Sequence, residues 1–484
     1  MRLGFDVLAD EEIGESVACA RRVSFVGTAV IQARRLLPLL LLLLPLHAQA
    51  QPAGAALTFE QARAQLEQVS DALAAADANL RGRQGLADAT RRLRVPEISL
   101  ETRYLQFQKT LELPLGSLAP VAEEYGISSP LRFVERDWRL RPMLTTVVPL
   151  YTGGQIPAAQ DAAASAVRQA DAERAQQAQT LTSELVQAYF GQQLAAQALA
   201  VRGEVRDGLE QHLAHAEALE QEGFATRAQR LQATVARDGS ERAYRKAVND
   251  HDAVRMALAQ MLRSESPVTP MTPLFVNATP IGTLQDYTRA ALERHPELSR
   301  LRAMEEQAGQ GVRVRQAALK PQVFLFGQYD LNRHDALLTE SDWAVGIGLK
   351  YTFLSGNDRI RQISAAREQQ IQVQAGLREA ENRIVTGVTQ AWSALETARQ
   401  QFLLLDSSLE QARENLRLQT LSFREGQSTS LDVIDARLSL GGALIERAQA
   451  AYEYDMALAR LLELSGQSAQ FGDFIRRADR VVLP

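Results

Sequence analysis

The clearest pattern in the chain is an alternation that begins at Trp343, in which odd positions are apolar and even positions are small or polar. The odd positions are Trp343, Val345, Ile347, Leu349, Tyr351 and Phe353, and the even ones are Ala344, Gly346, Gly348, Lys350 and Thr352. Because successive side chains of a strand point to opposite faces, the alternation predicts a strand with one apolar face. If this strand lies near the middle of a membrane, we expect Ile347→Arg, on the apolar face, to cost roughly 2–4 kcal/mol, and Gly348→Ser, on the small face, to cost much less.

Similar alternation predicts three further strands, two in the first half of the chain and one in the second. Ile98, Leu100 and Tyr104 alternate with the polar residues Glu97, Ser99, Glu101 and Arg103. The apolar positions recur in the second half of the chain, at a constant offset, as Val323, Leu325 and Tyr329. The partner of the first strand is predicted at 140–150, with Arg141 on its polar face.

Two fixed offsets show that the chain repeats one plan. The matched pairs are Thr58 with Thr283, Pro96 with Pro321, Gly153 with Gly356, and Gly223 with Gly426. The offset in numbering is 225 for the first two pairs and 203 for the last two, so one insertion that accounts for the difference is expected between Pro96 and Gly153. Each copy is predicted to contain a helix, two strands, a long helix, a glycine break and a second helix.

The repeat divides the chain into five predicted segments. They are a signal peptide and pre-sequence (1–50), a first repeat (51–263), a Pro-rich irregular connector (264–283), a second repeat (284–466) and a C-terminal tail (467–484). The predicted fold class is mainly α, with long coiled-coil helices and a small β part of four strands per chain.

The helical pattern between strands and glycine breaks is unusually long. From Gly356 to Gly426 it covers 70 residues, which is roughly 105 Å of helix. Beyond the second break, apolar residues follow the three-four spacing of a coiled-coil seam, with Gly441 as its gap. The predicted seam is Leu431, Ile434, Leu438, Ile445, Ala448 and Tyr452.

Composition favours helix, and a short apolar run near the start of the chain indicates export. The hydrophobic content is 46% but aromatic residues are only 6%, so the apolar residues are mostly helix-forming Ala and Leu. The net charge of −5 gives no basic surface for nucleic acid. A short apolar run at 36–46, with two arginines before it and a small-x-small end at 48–50, predicts a cleaved signal peptide and a mature N-terminus at Gln51.

No catalytic signature accompanies this architecture. The sequence has no phosphate loop, nucleophile elbow or H-E-x-x-H motif, so we expect neither an enzyme nor a cofactor. His212 and His215 have a spacing that could bind a metal ion, but such a pair on a polar helix is more often solvated. We therefore predict no metal site.

The arrangement resembles the TolC-like outer membrane efflux protein family from about Leu57 to Gly466. The resemblance rests on the twofold repeat, the paired strands, the F-x-x-G motif ending at Gly426 and the LDVIDA motif starting at Leu431. It implies a homotrimer whose chains each lend four strands to a twelve-stranded outer-membrane barrel. The helices would continue the barrel through the periplasm, with the connector and tail around the waist.

The same resemblance implies a function and partners. The trimer would be the exit duct of a tripartite efflux or type I secretion system, served by an inner-membrane pump and a periplasmic adaptor. Its helix tips would be the turns at Gly223 and at Phe423 to Gly426. The rival interpretation is a periplasmic coiled-coil adaptor or scaffold without a barrel, which would not need four strands with apolar faces. The transported substrate is not predicted.

The resemblance also assigns a gate. Asp432 and Asp435 would ring the closed periplasmic entrance, where the first copy carries Gln229 and Gln232. The alternative is that these acids only complement the dipole of their helix N-terminus. Tips of this family often carry Tyr at the position of Phe423 and Arg at that of Ser428, so the sequence leaves open how this entrance is held closed.

In a barrel, the two strand faces would meet different surroundings. The residues expected to face the water-filled lumen are Glu97, Glu101, Arg103, Arg141 and Lys350. Those expected to face outer-membrane lipid are Tyr104, Tyr329, Trp343 and Tyr351. Aromatic residues near strand ends are typical of the interfaces of outer-membrane barrels.

Overall fold

A computed structural model describes residues 55–332 and 341–482 of the chain. The predicted signal peptide and the last two residues of the tail lie outside this part. The described chain is mainly helical, with one four-stranded antiparallel sheet, and the predicted fold class is confirmed. Within the described residues, no helix is both long and apolar enough to cross a membrane.

The first half of the chain contains two short helices, a hairpin and two long helices. In order, the elements are β1 (Ala55–Leu57), α1 (Phe59–Val69), α2 (Asp71–Arg91), β2 (Glu97–Leu113), a 3-10 turn (Gly116–Leu118), α3 (Ala119–Glu124), β3 (Leu131–Tyr151), α4 (Gln155–Gln221) and α5 (Arg227–Met261). The 67 residues of α4 span roughly 100 Å.

The second half follows the same order after a connector. Its elements are β4 (Val268–Pro270), β5 (Leu274–Val276), α6 (Leu284–Arg294), α7 (Pro296–Ala317), β6 (Gln322–Asp330), β7 (Trp343–Lys350), α8 (Arg359–Arg424), α9 (Ser430–Leu464), a 3-10 turn (Ser468–Gln470), α10 (Phe471–Arg476) and β8 (Arg480–Val482). The single helix predicted at the start of each repeat is two helices, separated at Ser70 and at His295.

Matching elements start at the offsets found in the sequence. Thr58 and Thr283 cap the first helices of the two halves, and the starts of β2 and β6, at Glu97 and Gln322, are separated by the same interval as these two caps. Thr226 and Thr429 cap α5 and α9, which are both 35 residues long. The first hairpin is the longer one, because β2 has 17 residues and β6 has 9.

The four long strands form one sheet in the order β2-β3-β6-β7. Residues paired across antiparallel strands share a face, so the register assigns each side chain to one side of the sheet. Tyr104 pairs with Leu140, Leu144 with Tyr329, and Tyr329 with Trp343. The predicted apolar positions of all four strands therefore lie on one face, which we call the apolar face.

The small residues on the opposite face of β7 make room for aromatic rings. A Cβ added at Gly348 would lie 2.5 Å from Cζ of Phe324, and one at Gly346 would lie 3.1 Å from the Phe326 ring. Phe324 pairs with Gly348 and Phe326 with Gly346 across the β6–β7 ladder. A serine side chain at Gly348 would therefore overlap the Phe324 ring. The expected difference between Gly348→Ser and Ile347→Arg stays a prediction.

The main core lies where the connector and the tail pack against the middle of α4 and α8 and the C-terminal half of α9. The connector was expected to be irregular, but β4 pairs with β1 and β5 pairs with β8. Tyr189 of α4 donates a hydrogen bond to the Leu57 carbonyl at 2.7 Å and accepts one from the Thr272 amide at 2.9 Å. Five other fully buried aromatic residues belong to the same core: Phe59, Phe190, Phe275, Tyr454 and Phe471.

The predicted seam of α9 is only partly buried. Ile434 and Ala448 are buried, and a Cβ at Gly441 would lie 2.5 Å from Cγ2 of Val205 on α4, so the expected close approach at this glycine occurs. Leu431 and Leu438, however, are 48% and 44% exposed. The helix turns a different stripe, which includes Val433 and Ala436, towards the rest of its own chain.

We predict that Gly348→Ser lowers stability by about 1–3 kcal/mol, because the added side chain overpacks the contact with Phe324. Ala344→Ser, on the same face of the same strand, is the matched control and should cost less. Thermal unfolding of both variants in detergent measures the difference. Equal melting temperatures would contradict the ring placement.

Candidate functional site at the helix tips

The two long helix pairs turn back through the same backbone structure. Gly223 and Gly426 have φ angles of +79° and +73°, a left-handed conformation that favours glycine. In each turn the amide of the following residue bonds to a carbonyl five residues earlier, Phe224 to Leu219 and Gln427 to Ser422, both at 2.8 Å. This is the Schellman pattern that ends helices at a glycine.

Each second helix then starts with a capping box, and this is where Asp432 lies. The Thr429 amide donates to Asp432 Oδ2 at 2.7 Å, and the Asp432 amide donates to Thr429 Oγ1 at 3.3 Å. Gln229 makes the equivalent bonds with Thr226 in the first tip. The side-chain and backbone hydrogen bonds from Thr429 lower the pKa of Asp432, so this carboxylate is charged at neutral pH.

Asp432 and Asp435 are both exposed and lie three residues apart on one side of α9. The helix-cap interpretation is therefore correct for Asp432 as far as its own chain is concerned. It does not account for Asp435, whose position in α9 lies beyond the capping box.

A buried histidine ties α4 to the second tip. His212 is only 5% exposed, and its Nε2 lies 2.6 Å from Oγ of the fully buried Ser430, the first residue of α9. Its ring centroid is 4.9 Å from that of Phe423, which is 6% exposed near the end of α8. The expectation that both histidines are solvated is wrong for His212, whereas His215 is exposed.

The surroundings of His212 keep it neutral. Burial, followed by the positive charge of Arg437 and by His215, lowers the pKa of His212 to about 4. A cation here would lose solvation and face a second cation, so the neutral ring is favoured. Neutral His212 keeps one ring nitrogen for the bond to Ser430.

Arg437 fills a second contact between α4 and α9. Its guanidinium lies across Gly208, where an added Cβ would overlap Nη1. Burial lowers the pKa of Arg437, and its Nε is buried without a hydrogen-bond partner among the described residues. Only glycine on α4 leaves room for the arginine in this position.

These contacts form what we call the tip latch: Gly208 and His212 of α4 with Phe423, Ser430 and Arg437 of the second helix pair. Phe423, which cannot hydrogen-bond, contributes its ring to His212. Ser428 donates a hydrogen bond to the Gln419 carbonyl at 3.3 Å and so ties the turn only to its own helix. Sequence reasoning missed the latch. The one available signal was His212 itself, which shares the three-four helical spacing of the apolar residues Leu209 and Ala216.

The residues singled out on the strands separate onto the two faces. The opposite face carries Glu97, Glu101, Arg103, Arg141 and Lys350. The apolar face carries Tyr104, Tyr329 and Trp343, and Tyr351 lies one residue beyond β7. On the polar face Arg141 bonds to Asp330 at 2.8 Å, and Arg103 pairs with Glu101.

A metal centre is not formed by this arrangement. Within residues 55–332 and 341–482, no three His, Cys, Asp or Glu side chains cluster closely enough to hold a metal ion.

Comparison with known proteins shows which family the chain resembles. Residues 288–467 match the family profile described as outer membrane efflux protein. The efflux protein BepC of Brucella suis is 25% identical over 37% of this chain, and the outer membrane protein TolC of Vibrio cholerae is 27% identical over 41%. These matches span only 40% and 47% of the two relatives. The crystal structure of VceC from Vibrio cholerae superposes with a TM-score of 0.67 at 17% identity, covering 84% of this chain and 96% of that one.

The chain is therefore similar to outer membrane efflux proteins over part of its length. The expected resemblance to TolC-like proteins is confirmed in the fold, where the matches with OprN and CusC cover 84% and 87% of this chain. OprN is an outer-membrane channel.

We predict that acid weakens the tip latch. Because the pKa of His212 is about 4 in the fold and near 6.5 when unfolded, its stabilising contribution is complete above about pH 6.5 and is lost as pH falls towards 4. The loss is at most about 3 kcal/mol per chain. Melting temperatures of wild type and His212→Gln, measured at pH 7 and pH 4.5, test this.

His212→Gln should reduce the fall in melting temperature between pH 7 and pH 4.5, since glutamine does not titrate but can still bond to Ser430. His215→Gln, at the exposed position one turn away, should leave this fall unchanged. If the melting temperature of His212→Gln falls as much as that of the wild type, the assignment is contradicted.

Proposed function

We propose that this chain forms, as a homotrimer, the outer-membrane exit duct of a tripartite efflux or type I secretion system. The observation that carries the proposal is the sheet, which has one exposed apolar face and two edges without a partner strand among the described residues. Both features call for surroundings that a single chain in water does not provide.

The apolar face is suited to lipid. Val345, Ile347 and Leu349 are 72%, 70% and 70% exposed, and Ile98 and Leu100 on the far edge strand are exposed to a similar degree. A soluble protein rarely leaves so continuous an apolar surface uncovered. The rival interpretation, a periplasmic scaffold, would leave this surface in water.

The sheet edges require other copies of the chain. In the order β2-β3-β6-β7, the edge strands β2 and β7 have one neighbour each. Open edges do not occur in the hydrocarbon of a membrane, because their amides and carbonyls would lose hydrogen bonds. Four strands are too few to close a barrel, for which about eight are needed, whereas three chains supply twelve.

The polar face would line the water-filled lumen and carries charges of both signs. Three acidic residues, Glu97, Glu101 and Asp330, share it with four basic ones, Arg103, Arg139, Arg141 and Lys350. Two acid–base pairs among them are in direct contact. A lining of mixed sign gives the strand section no strong preference for cations, so cation selectivity would be set elsewhere.

The second tips would provide that selectivity. Three copies of Asp432 and Asp435 make a ring of six carboxylates around the periplasmic entrance, and acidic rings select cations in other pores. The Thr429 hydrogen bonds favour the charged form of Asp432, which opposes the repulsion within the ring. A periplasmic adaptor and an inner-membrane pump would complete the assembly, and the chain would reach the outer membrane after cleavage before Gln51.

We predict that the envelope protein is a trimer in the outer membrane that begins at Gln51. Fractionation, N-terminal sequencing and native mass measurement in detergent test these points. A stable monomer, or a protein released from the envelope by salt alone, would contradict the duct and favour a periplasmic scaffold.

We predict that Asp432→Asn with Asp435→Asn weakens block by multivalent cations added from the periplasmic side and lowers cation selectivity in planar bilayers. Folding should persist, because an Asn oxygen can still accept the Thr429 amide, as Gln229 does in the first tip.

The matched control is Asp250→Asn with Asp252→Asn on α5, which removes the same charge away from the second tip. If multivalent cations block the tip variant as they block the wild type, but the variant melts at a lower temperature, the acids act only as helix-end residues. If the control variant loses cation block to the same extent, the effect comes from net charge rather than from a ring.

A further inference from the structure

We propose that the outer part of the first hairpin, residues 106–138, packs against the same part of two other copies and closes the outer mouth of the channel. We call this part the hairpin extension. The inference rests on the proposed trimeric duct but concerns its opposite end from the tips, and it involves the stretch in which the first repeat carries its insertion relative to the second.

Among the described residues, the hairpin extension projects beyond the other strands of the sheet. The strand β3 pairs with β6 only from Met143 onward, opposite Asp330, whereas β2 and β3 continue to pair with each other as far as Leu113 and Leu131. The two-stranded ribbon beyond Met143 is roughly 40 Å long at about 3.3 Å per residue, and the hairpin extension is its outer part, roughly 25 Å. The helices leave from the other end of the strands, so the ribbon points away from the tips.

The apolar face changes character where the extension begins. Tyr104 and Trp138 stack there with ring centroids 5.1 Å apart, as expected for residues at a membrane interface. Beyond them, the same face carries polar pairs across the two strands: Arg136 donates to Gln108 at 3.1 Å, and Arg132 lies 3.6 Å from Glu112. The extension therefore lies in water outside the lipid.

The other face becomes apolar only at the far end. It carries Glu97, Glu101 and Arg103 near the inner end of the strands and Lys109, Glu135 and Asp137 farther out. Beyond these, Leu111 pairs with Phe133 and Leu113 with Leu131. The turn that follows adds more exposed apolar residues. We group the exposed apolar residues of the strand ends and of the turn as the apolar cluster: Leu111, Leu113, Leu118, Val121, Tyr125 and Phe133, all 39–79% exposed.

The symmetry of the duct identifies what covers this cluster. The strand portion of the cluster lies on the face that lines the lumen, so threefold symmetry brings three clusters towards one axis. A two-stranded ribbon is at best marginally stable alone in water, and a large exposed apolar surface favours association. The fitting partner is therefore the hairpin extension of each neighbouring copy.

The consequence is a second closure. An apolar constriction can stop ion flow by excluding water, without any charged group. The duct would then be closed at the periplasmic end by charged tips and at the outer end by an apolar contact, and passing substrate would have to separate both.

Cysteine cross-linking in the intact trimer tests the contact. The predicted mature chain has no cysteine, because Cys19 lies before Gln51. Under oxidation, Tyr125→Cys should form covalent dimers between chains. Arg136→Cys, on the outward polar face, should stay monomeric on a non-reducing gel.

If Tyr125→Cys does not cross-link although native mass measurement gives a trimer, the inference fails and the duct stands. If no trimer forms, the proposed function itself fails. If Tyr125→Cys is labelled instead by a photoactivatable lipid, the cluster is covered by lipid rather than by another chain, and the inference also fails.

Single-channel conductance gives an independent readout. Leu113→Asp with Val121→Asp would place six like charges in the proposed contact and should raise conductance at least twofold. Thr110→Asp with Gln108→Asp, on the outward face, should leave it unchanged. Unchanged conductance in the first variant would overturn the proposed closure.

Discussion

The hydrogen-bonding groups along the outer edges of β2 and β7 are the constraint on which the proposed assembly depends. In lipid these amides and carbonyls would have to find partner strands, and a chain with four strands would obtain them from other copies. In the proposed trimer, the helices of the three chains would run side by side. The helices α4 and α8 have 67 and 66 residues, so the two turns of each chain follow helices of almost equal length. Equal helix length would thus bring six similar turns to one level, where small chemical differences between them would act.

Those differences are concentrated where the repeat is broken. The tip latch joins Gly208 and His212 to Ser430 and Arg437, and the positions that match these four in the other copy of the repeat are Gln411, Asn415, Arg227 and Thr234. None of them could make the equivalent contacts: glutamine leaves no space for a crossing arginine, and arginine cannot occupy the buried place of Ser430. The backbone frame is therefore shared by both copies, whereas the interlock and the acidic pair are confined to one. This division lets one tip change without unfolding the other.

Patterns with a fixed period could be predicted from the sequence, and contacts between distant segments could not. The alternation at Trp343 assigned side chains to the faces that the register gives them, and the threonines at 58, 226, 283 and 429 start helices at the repeat offsets. The strands β4 and β5 were missed because three residues show no periodicity. The cost at Gly348 depends on the neighbouring ring of Phe324, and the burial of His212 depends on residues far along the chain, in α8 and α9. Exposure of Leu431 and Leu438 likewise reflects which helix α9 meets.

In the proposed trimer, the strength of the tip latch would determine what opening the entrance requires. A hydrogen bond such as that between His212 and Ser430 contributes about 1 kcal/mol net, and an aromatic contact such as that with Phe423 about 0.5–1.5 kcal/mol. Three chains together would then favour the closed tips by roughly 6 kcal/mol. Because each tenfold change in an equilibrium corresponds to about 1.4 kcal/mol, a partner that brings such tips to about 99% open must bind the open form about 9 kcal/mol more tightly. One latch per chain would therefore keep the idle entrance closed, and opening it would call for a docking partner with contacts to all three chains.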